Sequence, residues 1–101
     1  MAGETRVCAR SEADLRAPKM FAVVMHNDDI TTMDFVVGVL VKVFHKTSAE
    51  GAKIMMGIHE QGRGVAGIYT YDIAVTKKLQ ADLISREHGF PLKITIDEAH
   101  G

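Results

Sequence analysis

Cysteine is almost absent from this chain: Cys8 is the single one among 101 residues. A lone thiol closes no internal disulfide and assembles no cysteine-rich zinc site, so a reducing cytosol is the expected setting, with Cys8 an exposed thiol of no consequence. The first twenty residues hold no apolar centre for a signal peptide, and no run is long enough to span a membrane. A cytoplasmic protein without a membrane partner is therefore expected. Excess positive charge is missing too. The balance of 12 Lys and Arg against 13 Asp and Glu speaks against a nucleic-acid partner, because neutralising phosphates needs clustered cations.

What is present describes one small folded unit. A length of 101 residues allows one domain with a modest core, and 47% hydrophobic content with 25% charge is ordinary for such a unit. Residues 1–18 mix charged and small side chains and end at Pro18, which predicts a flexible arm ahead of a core over residues 19–101. From Lys19 to His26 the β-branched and aromatic content predicts a buried strand. Thr31 is placed to cap a helix, with Asp34 three residues on. Val36, Val39, Leu40, Val43 and Phe44 follow at the spacing of one helix face. Thr47 and Glu50 form a capping box opening a second helix, with inner residues Ile54, Met55 and Ile58 and a stop at Gly62.

Val65 to Tyr69 reads as a second strand in which Gly67 hints at a bulge or a close backbone approach. Thr70 caps a third helix whose inner face is expected to be Ile73, Leu79 and Leu83, ending at Gly89. Alternation from Leu92 to Ile96 predicts a third strand. The order β-α-α-β-α-β predicts an α+β fold, a three-stranded antiparallel-type sheet covered by helices.

The chemistry concentrates between the first strand and the first helix, in His26-Asn27-Asp28-Asp29-Ile30-Thr31-Thr32-Met33. Adjacent carboxylates point apart, so Asp28 and Asp29 make a poor general acid–base pair, and one of them is expected to brace the turn. His59 ends the apolar face of the second helix near Met55 and Met56, and methionine adapts to side chains of varied shape. Together with Met33 these residues outline an apolar floor under an acidic, hydrogen-bonding lip. A ligand joining an ammonium to a bulky apolar group fits, as the free amino terminus of a peptide does. Burying a Leu- or Phe-sized side chain contributes roughly 1.5–3 kcal/mol, and each hydrogen bond to the charged amine a similar amount. After the cost of association, affinity on the order of micromolar is expected. A divalent metal could recruit His26, Asp28, Asp29 and His59, but no HxxxH-type pair fixes the geometry, so neither metal nor cofactor is expected. An interaction module indifferent to chain termini is the alternative reading.

The run from Asn27 to Val36 closely resembles the N-D-D-Y-T-P-M-E-F-V signature of the ClpS family of N-degron adaptors. The likeness continues through Met55-Met56-Gly57-Ile58-His59, Gln61-Gly62, Gly67-Ile68-Tyr69-Thr70, Thr76-Lys77 and Pro91-Leu92. The resemblance implies a non-enzymatic adaptor that binds proteins beginning with Leu, Phe, Tyr or Trp and hands them to a ClpA-type AAA+ unfoldase of the ClpP protease. It implies that Asn27, Asp28 and His59 hold the α-amino group, that Asp29 and Thr31 shape the loop, and that Met33, Val36, Met55, Ile58 and Leu92 line the side-chain pocket. It places docking on the unfoldase's N-terminal domain at Asp72 and Lys77, with the arm also engaging the unfoldase. Ile30 and Thr32 stand where the signature has Tyr and Pro. Val75 replaces a usual Glu, and Ala66 a common Cys.

Overall fold

The computed structural model describes residues 17–99, so the arm expected ahead of the core lies almost wholly outside the described residues. Strands β1 (Met20–His26), β2 (Arg63–Thr70) and β3 (Lys93–Ala99) alternate with helices α1 (Met33–Lys42), α2 (Ser48–Gln61) and α3 (Tyr71–Glu87) in the expected β-α-α-β-α-β order. The sheet order is β2-β1-β3, and both pairings are antiparallel. As the central strand, β1 buries four consecutive residues, Ala22 to Met25. Val23 and Met25 face the helices and join the main core. Ala22 and Val24 point to the opposite face, where Arg63 on β2 reaches Asp97 on β3 at 2.8 Å. A bridge between the two outer strands must cross β1, and it shields Val24, which is 1% exposed without a second layer above it.

The β1–β2 register slips by one residue between Val23 and Val24, leaving Ala66 as the extra residue of a bulge. Gly67 beside it lies beneath the Tyr69 ring, and a methyl group there would come within 2.7 Å of Tyr69 Cζ. Both possibilities raised by Gly67 are therefore realised. Ala66, fully buried, is the small residue that fills the bulge.

Helix ends follow local chemistry. The Thr47–Glu50 box is complete: the Glu50 amide donates to Thr47 Oγ1 at 3.1 Å and the Thr47 amide to Glu50 Oε1 at 2.8 Å. These bonds hold the Glu50 carboxyl below its usual pKa. Gly62 closes α2 in the left-handed conformation at φ 89°. Beyond α3, Gly89 at φ 76° donates to Arg86 and Phe90 donates to Ser85, a Schellman motif. Two caps differ from expectation: Thr70 stands at the N-cap position of α3 but makes no side-chain capping bond. Thr32, not Thr31, caps α1 by accepting from the Phe35 amide at 3.2 Å, because the Thr31 hydroxyl is bound elsewhere.

The five residues expected on the inner face of α1, Val36, Val39, Leu40, Val43 and Phe44, are all buried. Helix α3 departs from expectation. Ile73, Leu79 and Leu83 are about half exposed, while Ala74, Ala81 and Ser85 turn inward. This helix packs against all three strands, and close approach to a sheet requires small side chains at the contact. The buried Ser85 hydroxyl donates to the Ala81 carbonyl at 2.8 Å, so nothing polar is stranded. Ala81→Leu is expected to overpack this seam and cost about 1–3 kcal/mol. Leu83→Ser should stay within about 0.5 kcal/mol of the parent. Urea unfolding midpoints of the two variants check this inversion of the hydrophobic pattern.

Candidate functional site

Strand register brings the site together. His26 pairs with Arg63 on one side and Lys93 on the other, so the next position, Asn27, lies between Gly62 and Leu92. The Asn27 amide confirms this by donating to the Gly62 carbonyl at 2.9 Å. Gly62 in turn donates to Ile58 at 2.8 Å, tying the loop to the last turn of α2, which carries His59. The Asn27–Thr32 loop, the C-terminal end of α2 and the start of β3 thus meet at one corner of the sheet.

Val36, Met55, Ile58 and Leu92 are all members of the main hydrophobic core; Leu92 precedes the first residue of β3, and Ile58 accepts the Gly62 amide. Met33, the first residue of α1, is 41% exposed. Asn27, Asp29 and His59 are exposed, while Asp28 and Thr31 are half-buried. The polar residues are thus at the surface and the apolar ones in the core. Met56 points outward and takes no part in the floor.

One of the two adjacent carboxylates braces the turn, as their position suggests. Asp28 Oδ1 accepts from the amides of Ile30 at 2.8 Å and Thr31 at 2.6 Å, and Oδ2 accepts the Thr31 hydroxyl at 2.8 Å. Asp28 is therefore the brace and Thr31 its partner. Partial burial pushes the Asp28 carboxyl up, but the hydrogen bonds from Thr31 and Ile30 outweigh it and leave the pKa below the usual carboxylate value. A carboxylate oxygen has two lone pairs, so Oδ2 retains one for a further donor.

Asp72 and Lys77 do not form one patch. Asp72, exposed in the first turn of α3, accepts from the Thr70 hydroxyl at 3.0 Å. Lys77 lies five residues on, about 140° around the helix. Its half-buried amine donates to the carbonyl of Val43, the C-terminal cap of α1, at 2.8 Å and sits 5.9 Å from the Tyr69 ring centre. Burial raises the Tyr69 pKa.

Residue spacing gave no warning of a groove of about 200 Å³ between α1 and α3, lined in part by Phe35, Val39, Ile84 and His88. Phe35 also packs 4.7 Å from Phe90, a contact that only the packing of α1 against the end of α3 creates. Among the described residues no His, Cys, Asp or Glu side chains gather in threes to hold a metal ion, and no helix is long and apolar enough to cross a membrane.

Because the folded pKa of Asp28 lies below its unfolded value of about 3.9, the loop is fully braced above that pH and loosens as pH falls through the folded value. Asp28→Ala should reproduce the acid effect at neutral pH. Amide exchange at Ile30 and Thr31 is expected to accelerate about fivefold to tenfold, with protection in the core strands unchanged.

Comparison with known proteins places the chain in a family. Residues 16–95 match the family model for the ATP-dependent Clp protease adaptor protein ClpS. The ClpS adapter protein of Syntrophus aciditrophicus is 46% identical over 87 residues, covering 86% of this chain and 81% of the relative. That of Acetivibrio thermocellus is 44% identical over 97 residues, covering 96% and 98%. Among solved structures, Agrobacterium tumefaciens ClpS2 bound to L-phenylalaninamide superposes with a TM-score of 0.78 at 38% identity, covering 81% of this chain and 99% of that one. A matching family model over most of the chain and relatives of this similarity leave one conclusion: the chain belongs to the ClpS family of Clp protease adaptor proteins.

Proposed function

We propose that this protein is a non-enzymatic cytoplasmic adaptor that captures proteins by a free amino terminus followed by a bulky apolar first side chain, Leu, Phe, Tyr or Trp. It would deliver them to a ClpA-type AAA+ unfoldase for degradation by ClpP. The observation that supports the reading is the meeting at one sheet corner of the Asn27 loop, the last turn of α2 that carries Ile58 and His59, and the start of β3 next to Leu92. The compound held by the Agrobacterium protein, an amino-acid amide with an aromatic side chain, has the same two features.

In this reading Asn27 and His59 grip the ammonium directly and Asp28 supplies charge through its spare Oδ2 lone pair. Asp29 and Thr31 border the entry, and Leu92 with the α1 and α2 residues receives the side chain. Docking on the unfoldase uses the first turn of α3 around Asp72, while Lys77, on another side of that helix, holds the end of α1. The seating of a Phe-sized group contributes roughly 1.5–3 kcal/mol. The charged hydrogen bonds at the amine add roughly 1.5–3 kcal/mol each.

Fluorescence anisotropy with a peptide beginning in Phe, in free and acetylated forms, tests the function. The free peptide should bind near micromolar and acetylation should weaken it at least tenfold. Equal binding of both forms would replace this reading with an interaction module blind to chain termini. Asn27→Ala and His59→Ala should abolish binding with circular dichroism unchanged, since both side chains are exposed.

Met33 adds a second expectation. Sitting partly exposed where α1 begins, it crowds a ligand branched at Cβ. Peptides starting with Ile or Val should bind at least tenfold more weakly than the Leu peptide, and Met33→Ala should narrow that gap. Tight Ile binding by the parent protein would count against such a gate.

A further inference from the structure

The face of the sheet turned away from the helices carries a feature unrelated to the core. Arg63, His26 and Lys93 lie opposite one another on β2, β1 and β3. Directly paired residues share a face, and alternation puts His26 on the same side as Val24, away from the helix-facing Val23 and Met25. The three side chains therefore form a row across the last rung of the sheet. Asn27 is the next residue after that rung, so the row borders the loop on the side opposite the apolar floor.

The row is chemically uneven. Lys93 is exposed, and the ion pairs among the described residues engage Lys19, Arg63 and Lys78 instead of it. Arg63 is bridged to Asp97 but stays 56% exposed, leaving guanidinium donors open to a second acceptor. His26 Nε2 is bonded to Thr95 Oγ1 at 2.8 Å, and burial together with Lys93 and Arg63 lowers its pKa, so the ring is neutral near pH 7. Two cations thus flank a neutral hydrogen-bonding ring, opposed locally by Asp97.

We infer that the Arg63–His26–Lys93 row reads the residues that follow the captured amino-terminal residue, favouring a carboxylate at positions two to four. This inference rests on the degron reading and narrows its substrate class. A chain advances about 3.3–3.6 Å per residue, and strands lie 4.7–4.9 Å apart. A peptide whose first side chain enters the apolar floor therefore needs two or three residues to cross the rim of the sheet and reach the row. Acidic side chains arriving there meet Lys93 and the free edge of Arg63. Basic ones meet repulsion.

The test uses the full chain and peptides of sequence Phe-Glu-Glu, Phe-Gln-Gln and Phe-Lys-Lys followed by a common neutral tail, each also in acetylated form. At low salt the Glu peptide should bind about threefold to tenfold more tightly than the Gln peptide, a range set by exposed charge pairs. The advantage should shrink in 0.5 M salt, where screening shortens to a few ångströms, roughly 3–5 Å. Lys93→Gln and Arg63→Gln should each move the Glu-to-Gln ratio toward one. Asp97→Asn should raise it by releasing Arg63, an effect that a purely structural bridge would not produce. Equal binding of the Glu and Gln peptides, or preference for Lys, with acetylation still blocking capture, would overturn the row while leaving the amine site intact. Failure of every free peptide to bind would overturn both.

Discussion

One hydrogen bond, from the Asn27 amide to the Gly62 carbonyl, is the constraint on which the site depends. It continues the β1–β2 ladder by one rung past the sheet and fixes where the loop begins. A single such bond has a net value of only about 1 kcal/mol. Its leverage comes from position, since Gly62 is also where α2 stops in a left-handed conformation that side chains other than glycine adopt with strain. The same residue ends the helix bearing His59 and receives the amide of the loop. Moving either end would separate the polar rim from Ile58 and Met55 below it.

This arrangement divides stability from recognition unevenly. Val36, Met55, Ile58 and Leu92 are core residues first, each 7% exposed or less. Truncating any of them opens a cavity, at a typical cost of 2–5 kcal/mol for a large aliphatic side chain, so loss of binding there would be entangled with loss of fold. Asn27, His59 and Met33 stand at the surface and can change with little effect on the core. In the proposed reading the apolar floor would thus be shared with the fold, while discrimination would lie at the rim.

What was legible in the sequence was mostly local. The Thr47–Glu50 box, the stops at Gly62 and Gly89 and the inner stripe of α1 rest on neighbours within one or two helical turns, and each stands as read. The inner face of α3 was not legible, because alanine carries little hydrophobic signal and the selection there is for closeness to the sheet. Thr31 and Thr32 are equal capping candidates by type. Only the prior claim of Asp28 on the Thr31 hydroxyl decides between them. The row of Arg63, His26 and Lys93 was invisible for a simpler reason. Residues far apart in the chain become neighbours only through strand pairing, and the Ala66 bulge alters that register by one residue.

The loop itself shows how a family position can change residue and keep its geometry. Thr32 stands where the signature has proline, and its φ of −75° lies within the range a proline ring imposes. The φ suits either residue, but the means of holding it differ: a ring restricts the unfolded chain, whereas Thr32 accepts the Phe35 amide in the folded one. Asp28 likewise holds Ile30 and Thr31 through three hydrogen bonds to its carboxylate. A loop kept in shape by these hydrogen bonds depends on the ionisation of Asp28. Its rigidity is therefore tied to the same negative charge that would attract an ammonium, so the conditions that weaken one weaken the other.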